Sequence, residues 1–539
     1  MSTIIVLSTR RKSYSVSVAT SNQRLMPAEV GKASRQAGIA LARTWRYQRR
    51  GPLLLCIAVM AVLASWIFFI PRPPTLSSAT TGDRTLANQV RAAAGNAHGY
   101  RGLAVAVIDR NRIRFAGLGE SGNPEHPNVD KTTVFEAGSL GKPMTGMLLA
   151  ELASRNALRL DMPLQRLLPD MRFGDPALGS ATLRDLASHR AGLDLMPSNL
   201  HVFMRGAELR IMGQDPYRGM TEEDVFTAGR NAASSGTGRF RYSNLGMALA
   251  GQTAARVAGK KYEALLRQYV LEPLTMRSTR FVHSDTAVPR NSATGYRATG
   301  PVMQHWLASG YTPAGDIWST SEDLARLVLA ELHGTAPGAE AAVPRFDAAG
   351  AGKIGLGWYT THAQGREITW HDGSTGGFTS YMGFDRSGRR GVVILSNTDQ
   401  PVDAIGKSLL GLTPEREGPE PDLFQIALTV LCSVGAAGPV FYVAWRGFSR
   451  KIYYVYFGFS VAFGAMLLVL LQRIGDWLSV PPLAWALGSA LLSVGSLVGI
   501  HRCPAPHRDQ RLDVRTALSA ARYGVVLLSL LLLVIAAEL

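Results

Sequence analysis

The stretch Phe135-Glu136-Ala137-Gly138-Ser139-Leu140-Gly141-Lys142 places a serine three residues before a lysine. Three residues along a helix put Ser139 and Lys142 on one face, and a serine hydroxyl needs a neighbouring base to act as a nucleophile. Pro143 fits the first turn of a helix, where the amide it lacks would have had no partner. A helix N-terminus also offers free backbone amides to a developing anion. The stretch predicts a nucleophile beside a base, although one such match among nine lysines is a weak signal alone.

A second candidate is Tyr242-Ser243-Asn244, which precedes the helical stretch Leu245–Val257. A tyrosine held near a lysine can have a lowered pKa and move protons, and Asn244 could orient a substrate amide. A loop tyrosine that leads into a helix explains the same residues without any chemistry.

The third candidate is Trp370-His371-Asp372-Gly373-Ser374-Thr375-Gly376-Gly377-Phe378, on a segment that we expect to be a strand. Glycines at such a place let a substrate backbone approach closely. The alternative is a glycine-rich turn with a surface histidine.

Together and in this order, the three motifs resemble those of the serine β-lactamase and penicillin-binding-protein family, especially its class C β-lactamase, D-aminopeptidase and esterase branch. That family has Ser-x-x-Lys, then Tyr-x-Asn, then Lys-Thr-Gly or His-x-Gly. Segments 183–193, 314–324 and 355–358 are also similar to the family. The resemblance covers about residues 85–410 and implies a serine hydrolase that needs no metal or cofactor.

The resemblance also implies a role for each matching residue. Ser139 would be the acylated nucleophile, and Lys142 and Tyr242 would share the general base and acid work, with the order left open. The amides of Ser139 and Ser374 would form the oxyanion hole. On the substrate-binding side, Asn244 would hold the substrate amide, Gly373 would allow close approach, and His371 would face the leaving side or the product carboxylate.

One departure from the family pattern concerns the substrate. His371-Asp372-Gly373 stands where many members have Lys-Thr-Gly. Histidine is mostly neutral near pH 7, so the permanent cation for a β-lactam or D-Ala carboxylate is missing. We therefore expect peptidase, amidase or esterase activity to exceed β-lactamase activity. We also expect carboxylate-bearing substrates to improve as His371 gains a proton between pH 8 and 6.

Patterns outside these motifs predict an α/β (α+β) fold. Residues 103–108 and 113–118 flank a turn, as do residues 380–384 and 391–396, which indicates two hairpins. Helical stretches such as Met144–Asn156 lie between them. Strands at both ends and helices in the middle predict an antiparallel sheet flanked by helices, with an inserted helical lobe.

The formal charge of +17 does not indicate nucleic acid, because it is concentrated beside apolar runs. Residues 1–71 carry 10 Lys/Arg and 1 acid, whereas residues 72–422 carry 38 and 35. Basic residues beside apolar runs mark the cytoplasmic side of a membrane.

Cys56, Cys432 and Cys503 all lie outside the middle region, which therefore has no disulfides.

Five apolar runs predict membrane spans. Residues 51–70 form a transmembrane helix, which is longer and later than the apolar region of a signal peptide. The C-terminal region 423–539 holds about four more, at 423–445, 452–471, 482–500 and 523–537, of which the last is short and crowded by Arg522. Loops 446–451 and 501–522 are basic, so they are placed inside, and residues 472–481 and the middle region outside.

The predicted order is a basic cytoplasmic segment 1–50, loosely ordered over residues 1–42, then the helix 51–70, a linker 71–84, the hydrolase domain 85–410 and the C-terminal helices. This describes a multi-pass protein of the bacterial cytoplasmic membrane with a periplasmic or extracellular catalytic domain. Its partners would be membrane lipid and a small-molecule or peptidoglycan-peptide-like substrate. The alternative is a non-hydrolytic sensor that captures a cell-wall peptide or β-lactam and signals through its helices. A transporter is disfavoured because the spans lack polar residues.

Overall fold

The computed structural model describes residues 70–95, 98–197, 199–413, 422–447 and 452–502, with two N-terminal strands, parts of 56–68 and residues 522–524. The strands are β1 (Ile4–Arg10), β2 (Ser13–Ala19), β3 (Thr80–Gly82), β4 (Gly102–Asp109), β5 (Arg112–Gly119), β6 (Phe135–Glu136), β7 (Trp318–Ser319), β8 (Phe346–Asp347), β9 (Lys353–Ile354), β10 (Tyr359–Ala363), β11 (Arg366–Ser374), β12 (Thr379–Asp385) and β13 (Arg390–Ser396).

The helices of the catalytic region are α1 (Arg84–Ala94), α2 (Gly141–Ser154), α3 (Leu164–Leu167), α4 (Pro176–Ser180), α5 (Leu183–Ala187), α6 (Leu200–Met212), α7 (Glu222–Asn231), α8 (Asn244–Ala258), α9 (Tyr262–Leu266), α10 (Ser321–His333) and α11 (Asp403–Leu409). They are followed by α12 (Leu423–Gly435), α13 (Gly438–Arg446), α14 (Ile452–Ile474) and α15 (Leu483–Arg502).

Nine strands form one antiparallel sheet in the order β3-β5-β4-β13-β12-β11-β10-β9-β8. Both hairpins predicted from the sequence are present, as β4–β5 and β12–β13. They join through β13 and β4, where Val105 lies opposite Ile394. The two ends of the catalytic region therefore meet in the centre of the sheet.

The sheet is buried on both faces, and the side chains of β4 show how. Leu103, Val105 and Val107 enter one apolar cluster, which Leu86 of α1 and Ile405 of α11 complete. Ala104, Ala106 and Ile108 enter the larger cluster on the other face, with residues of α2, α5, α8 and α10. Successive side chains of a strand point to opposite faces, so the apolar run of β4 supplies two cores.

The helical lobe lies between β6 and β7, and the sequence-predicted helices correspond to α2 and α8. α2 is buried on nearly all sides, from Gly141 to Leu152. The predicted fold, an antiparallel sheet with helices and a helical lobe, is confirmed.

Three helices in the described part of the chain are long and apolar enough to cross a membrane: Leu423–Arg446, Ile452–Ile474 and Leu483–Arg502. The first comprises α12 and α13, which meet at the buried pair Ala436 and Ala437. They correspond to the predicted runs 423–445, 452–471 and 482–500. The predicted run 523–537 lies almost wholly outside the described residues, and the run 51–70 is described only in part.

The N-terminal segment departs from expectation. Residues 1–42 were expected to lack regular structure, yet β1 and β2 pair as an antiparallel hairpin. The sequence Ser13-Tyr14-Ser15-Val16-Ser17-Val18-Ala19 alternates serine with apolar residues, which is the period of a strand. The high charge of the segment obscured this short pattern.

Candidate active site

Ser139 lies in a 3₁₀ turn, Gly138–Leu140, that runs directly into α2. Its Oγ accepts a hydrogen bond from Lys142 Nζ at 2.8 Å and another from the Tyr242 hydroxyl at 2.9 Å. Lys142, in the first turn of α2, is fully buried and also donates to the carbonyl oxygen of Ala314 at 2.7 Å. The structure thus brings the three predicted catalytic side chains together around one oxygen atom.

Two glycines let strand β11 approach the turn that carries Ser139. Gly138 has a φ of +54°, and a Cβ on it would lie 2.8 Å from the backbone nitrogen of Ser374. A Cβ on Gly373 would lie 2.3 Å from the Ala137 carbonyl oxygen and 3.0 Å from the Ser139 nitrogen. No side chain fits at either place. Ser139 and Ser374 consequently line the same cleft.

Tyr242 is held in place by the N-terminus of α8 and by His189. Ser243 caps α8 by accepting a hydrogen bond from the Gly246 amide at 2.9 Å. His189 Nδ1 accepts the Ser243 amide at 3.2 Å, and its ring lies 4.6 Å from the Tyr242 ring. His189 belongs to the family-like segment 183–193, but no local pattern predicts that it packs against Tyr242.

Burial changes the pKa values of Lys142 and Tyr242 in opposite senses. Desolvation lowers the pKa of Lys142 to about 7 and raises the pKa of Tyr242 well above its ordinary value of 10. The expectation that the lysine would lower the pKa of the tyrosine was wrong. The Lys142 ammonium directs its hydrogen bonds to Ser139 and Ala314, and it lies over the tyrosine ring, 4.8 Å from its centroid.

Asn244 is the first residue of α8 and lines the cleft. Its Nδ2 donates to the Tyr217 hydroxyl at 2.9 Å. Its Oδ1 is buried without a partner among the described residues, and a buried acceptor without a hydrogen bond is unfavourable. The arrangement leaves this oxygen free for an N–H group of a substrate. Tyr217 was missed in the sequence, because no motif surrounds it.

His371 differs most from its sequence-based expectation. The side chain is fully buried and does not line the cleft. Its ring lies 5.2 Å from that of Tyr359, Nδ1 contacts the Asp372 carbonyl oxygen, and Nε2 has no partner in the described chain. Burial lowers the pKa of His371 well below 6.5. The expected protonation of His371 between pH 8 and 6, with its effect on carboxylate substrates, is therefore wrong.

Acidic rather than basic side chains surround the cleft. Asp316, a non-glycine residue with a φ of +53°, lines it, and its Oδ2 accepts the Ser309 hydroxyl at 2.8 Å. Burial, reinforced by the charges of Asp215 and Glu136, raises the pKa of Asp316 to about 8. Burial likewise raises the pKa of Asp215 to about 6. No arginine or lysine is among the described residues that line this narrow cleft of about 60 Å³, which are Gly138, Ser139, Tyr217, Asn244, Trp306, Tyr311, Ala314, Gly315, Asp316 and Ser374.

Comparison with known proteins identifies the family of this chain. Residues 84–411 match the family model described as Beta-lactamase. The chain is 26% identical over 356 residues to a "Beta-lactamase" of Escherichia coli K12, covering 58% of this chain and 89% of that protein. It is 28% identical over 306 residues to the "D-alanyl-D-alanine-carboxypeptidase/endopeptidase AmpH" of the same organism, covering 53% and 76%.

Solved structures share the fold. A class C β-lactamase from Rhodobacter sphaeroides superposes with a TM-score of 0.52 at 23% identity, covering 61% of this chain and 98% of that one. The octameric penicillin-binding protein homologue from Pyrococcus abyssi gives a TM-score of 0.52 at 22% identity, covering 64% and 80%.

Proposed function

Because the chain belongs to the β-lactamase family of serine hydrolases, we propose that it is a membrane-anchored, outward-facing enzyme that cleaves an ester or amide through an acyl-enzyme on Ser139. One observation carries the proposal: Ser139 Oγ accepts hydrogen bonds from both Lys142 Nζ and the Tyr242 hydroxyl. A nucleophile with two proton-transfer partners in hydrogen-bond range is the arrangement that acyl transfer needs.

The two pKa shifts support an order of proton transfers. With a pKa of about 7, Lys142 is largely neutral above neutral pH and accepts the Ser139 proton as Oγ bonds to the carbonyl carbon. The amides of Ser139 and Ser374 stabilise the oxyanion. Tyr242, whose raised pKa keeps it protonated, gives its proton to the leaving nitrogen or oxygen and regains one from Lys142. Water then attacks the acyl-enzyme, and Ser139 recovers its proton.

The electrostatics of the cleft favour substrates without a carboxylate beside the scissile bond. His371 is buried and neutral, and Asp316 adds negative charge when it ionises. Neutral esters and D-amino-acid or peptidoglycan-like peptide amides suit such a cleft better than β-lactams. The names of the relatives include both β-lactamase and D-alanyl-D-alanine-carboxypeptidase.

Contacts between the catalytic region and the C-terminal helices support the outward orientation. Arg297 Nη1 donates to the carbonyl oxygen of Arg473, near the end of α14, at 3.1 Å. A Cβ on Gly99 would lie 3.3 Å from Leu478 Cδ2. Both partners lie in residues 472–481, the loop that the charge pattern places outside. In addition, Trp66 Nε1 donates to the Ala486 carbonyl at 3.3 Å, so the predicted N-terminal anchor runs beside α15.

Activity profiling of the full-length protein tests the proposal. We expect turnover of esters or D-amino-acid amides that exceeds turnover of a nitrocefin-type β-lactam, and labelling of Ser139 by a fluorophosphonate. The Ser139→Ala variant should lose both turnover and labelling. The control variant Ser154→Ala, at an exposed serine of α2, should retain both. Equal labelling of wild type and Ser139→Ala would contradict the assignment. Labelling of Ser139 without turnover of any substrate would instead favour the alternative function, a non-hydrolytic sensor.

A further inference from the structure

Helix α6 carries an apolar stripe that the described chain leaves largely uncovered. Leu200 is 75% exposed, Phe203 53% and Met204 50%. Residues at positions i, i+3, i+4, i+7 and i+11 share one face of a helix, so Ala207 and Ile211 continue the stripe. No residue of α6 is classed as buried. A contiguous exposed apolar surface of this kind marks an interaction site.

The side chains on the opposite face of α6 contact the catalytic domain. Arg205 Nη1 donates to the carbonyl oxygens of Pro216 and Arg218 at 3.0 and 2.8 Å. Leu209 lies towards the catalytic domain, because a Cβ on Gly376 would be 3.0 Å from Leu209 Cδ1. Since these side chains face inwards, the stripe faces away from the domain.

The C-terminal end of the stripe is continuous with the membrane-spanning helices. Ile211 packs against the apolar cluster formed by α12 to α15. Arg297 joins the two parts, because its guanidinium donates to the carbonyl oxygens of Leu209 and Arg473, each at 3.1 Å. The stripe therefore begins in solvent-exposed apolar side chains and ends where α14 leaves the proposed bilayer.

The N-terminal end of α6 reaches the active site. Leu200 and Phe203 line an open cavity of about 800 Å³, together with Leu195 of the preceding loop and the catalytic Tyr242. The cavity beside the N-terminal end of the stripe therefore reaches Tyr242, whose hydroxyl donates to Ser139 Oγ.

We propose that α6 lies in the outer membrane–water interface with this stripe against the lipid, and that the cavity beside Tyr242 receives the hydrocarbon chain of an amphiphilic ester or amide held in the bilayer. The substrate class rests on the proposed function and the outward orientation. A lipid surface fits better than a protein partner, because the stripe is continuous with helices that lipid already surrounds. Amphipathic helices bury such faces about 5–10 Å into the headgroup boundary.

Fluorescence quenching in nanodiscs tests the membrane contact without using activity. Full-length protein with Cys56, Cys432 and Cys503 replaced by alanine would carry an environment-sensitive label at Met204→Cys. The control is a label at Asn111→Cys in the β4–β5 turn, since β4 begins three residues after Gly99, which lies against Leu478, and a strand of eight residues is about 26 Å long. Lipids with a nitroxide on the acyl chain should quench the label at 204 and not the one at 111. Equal quenching at both positions would overturn the membrane contact.

Chain-length selectivity tests the substrate class. We expect wild type in nanodiscs to cleave a p-nitrophenyl dodecanoate ester faster than the acetate. Met204→Glu should lower dodecanoate hydrolysis about tenfold, because the free energy of burying one methionine side chain corresponds to about a factor of ten or more in an equilibrium constant. The same substitution should leave acetate hydrolysis unchanged. Fluorophosphonate labelling of Ser139 in each variant shows that the site is intact, which separates this test from the proposed function. Membrane contact without a preference for the long-chain ester would contradict the proposal of an amphiphilic substrate. Loss of hydrolysis of both esters in Met204→Glu, with fluorophosphonate labelling intact, would also contradict it.

Discussion

Lys142 has an environment that differs sharply from water, and the chemistry of Ser139 depends on it. The ammonium is fully buried, its hydrogen bonds go to Ser139 Oγ and the Ala314 carbonyl, and no carboxylate of the described residues is bonded to it. Desolvation disfavours the charged form of a lysine. The same burial that would be unfavourable for a structural lysine thus suits Lys142 to the role of base that we propose for it.

The pH dependence of kcat/KM follows from this shift. Because Lys142 must be neutral to accept a proton and its pKa is lowered to about 7, we expect activity on a neutral ester to rise with pH and to be half-maximal near pH 7. Lys142→Arg stays charged at every accessible pH and should lose about 10²–10⁴-fold. A rate profile for wild type that is flat between pH 5.5 and 8.5 would argue against Lys142 as the base.

Asp316 predicts a second, separable pH effect. Its pKa is raised to about 8 by burial, so it is mostly neutral at pH 7 and ionised at pH 9. The new negative charge should lower kcat/KM for a carboxylate-bearing substrate relative to a neutral one by about threefold or more. Asp316→Asn should remove this fall in relative kcat/KM between pH 7.5 and 9, a range in which Lys142 is already mostly neutral. The same ratio in both proteins would show that Asp316 does not face the substrate carboxylate.

At the scale of elements, the active site depends on how closely β11 lies against the turn before α2. The turn Gly138–Leu140 and strand β11 come from segments more than 200 residues apart, and glycine on both sides permits their contact. A β-carbon at either glycine would have to displace backbone rather than a flexible side chain. The distance between these two elements would therefore set the geometry of the proposed oxyanion hole.

Gly373→Ala tests this contact. The new methyl group would lie 2.3 Å from the Ala137 carbonyl oxygen, so we expect β11 to shift and kcat to fall about 100-fold or more, as for loss of one oxyanion-hole donor. Gly350→Ala is the matched control, because nothing lies within 4 Å of its Cβ and its φ is not positive. Steady-state kinetics and thermal unfolding would be measured for both variants. An unchanged kcat in Gly373→Ala would contradict the close approach.

At the scale of the whole molecule, the catalytic domain rests on one end of the C-terminal helical region. The contacts of Arg297 with Arg473 and of Gly99 with Leu478 lie at the junction of α14 with the following loop. The basic residues of the C-terminal region lie mainly at the opposite helix ends, in loops 446–451 and 501–522. Contacts and charges therefore both support the orientation that we propose.

Reporter fusions test that orientation directly. A fusion after residue 80 should report the outside, and a fusion at residue 448 the cytoplasm, because positively charged loops remain inside. Alkaline phosphatase and green fluorescent protein at both positions give complementary signals. An outside signal at residue 448 would mean that the number of spans before it is not two.

The sequence by itself determined the features that local patterns encode. Strand-like segments on either side of a short turn predicted the β4–β5 and β12–β13 hairpins, helical stretches predicted α2 and α8, and long apolar runs predicted the three C-terminal helices. The order of the three motifs indicated the family. Each element and each motif depends on residues close together in the chain, so no knowledge of distant contacts was needed.

Only the tertiary structure decided the electrostatics of the site. Tyr217 bonds Asn244 across 27 residues, and Asp316 enters the cleft through a φ that no local pattern reveals. The neutral state of His371 and the opposite pKa shifts of Lys142 and Tyr242 depend on desolvation. Desolvation is a property of the neighbours that folding brings together from separate segments, and so a side chain's own sequence context could not give it.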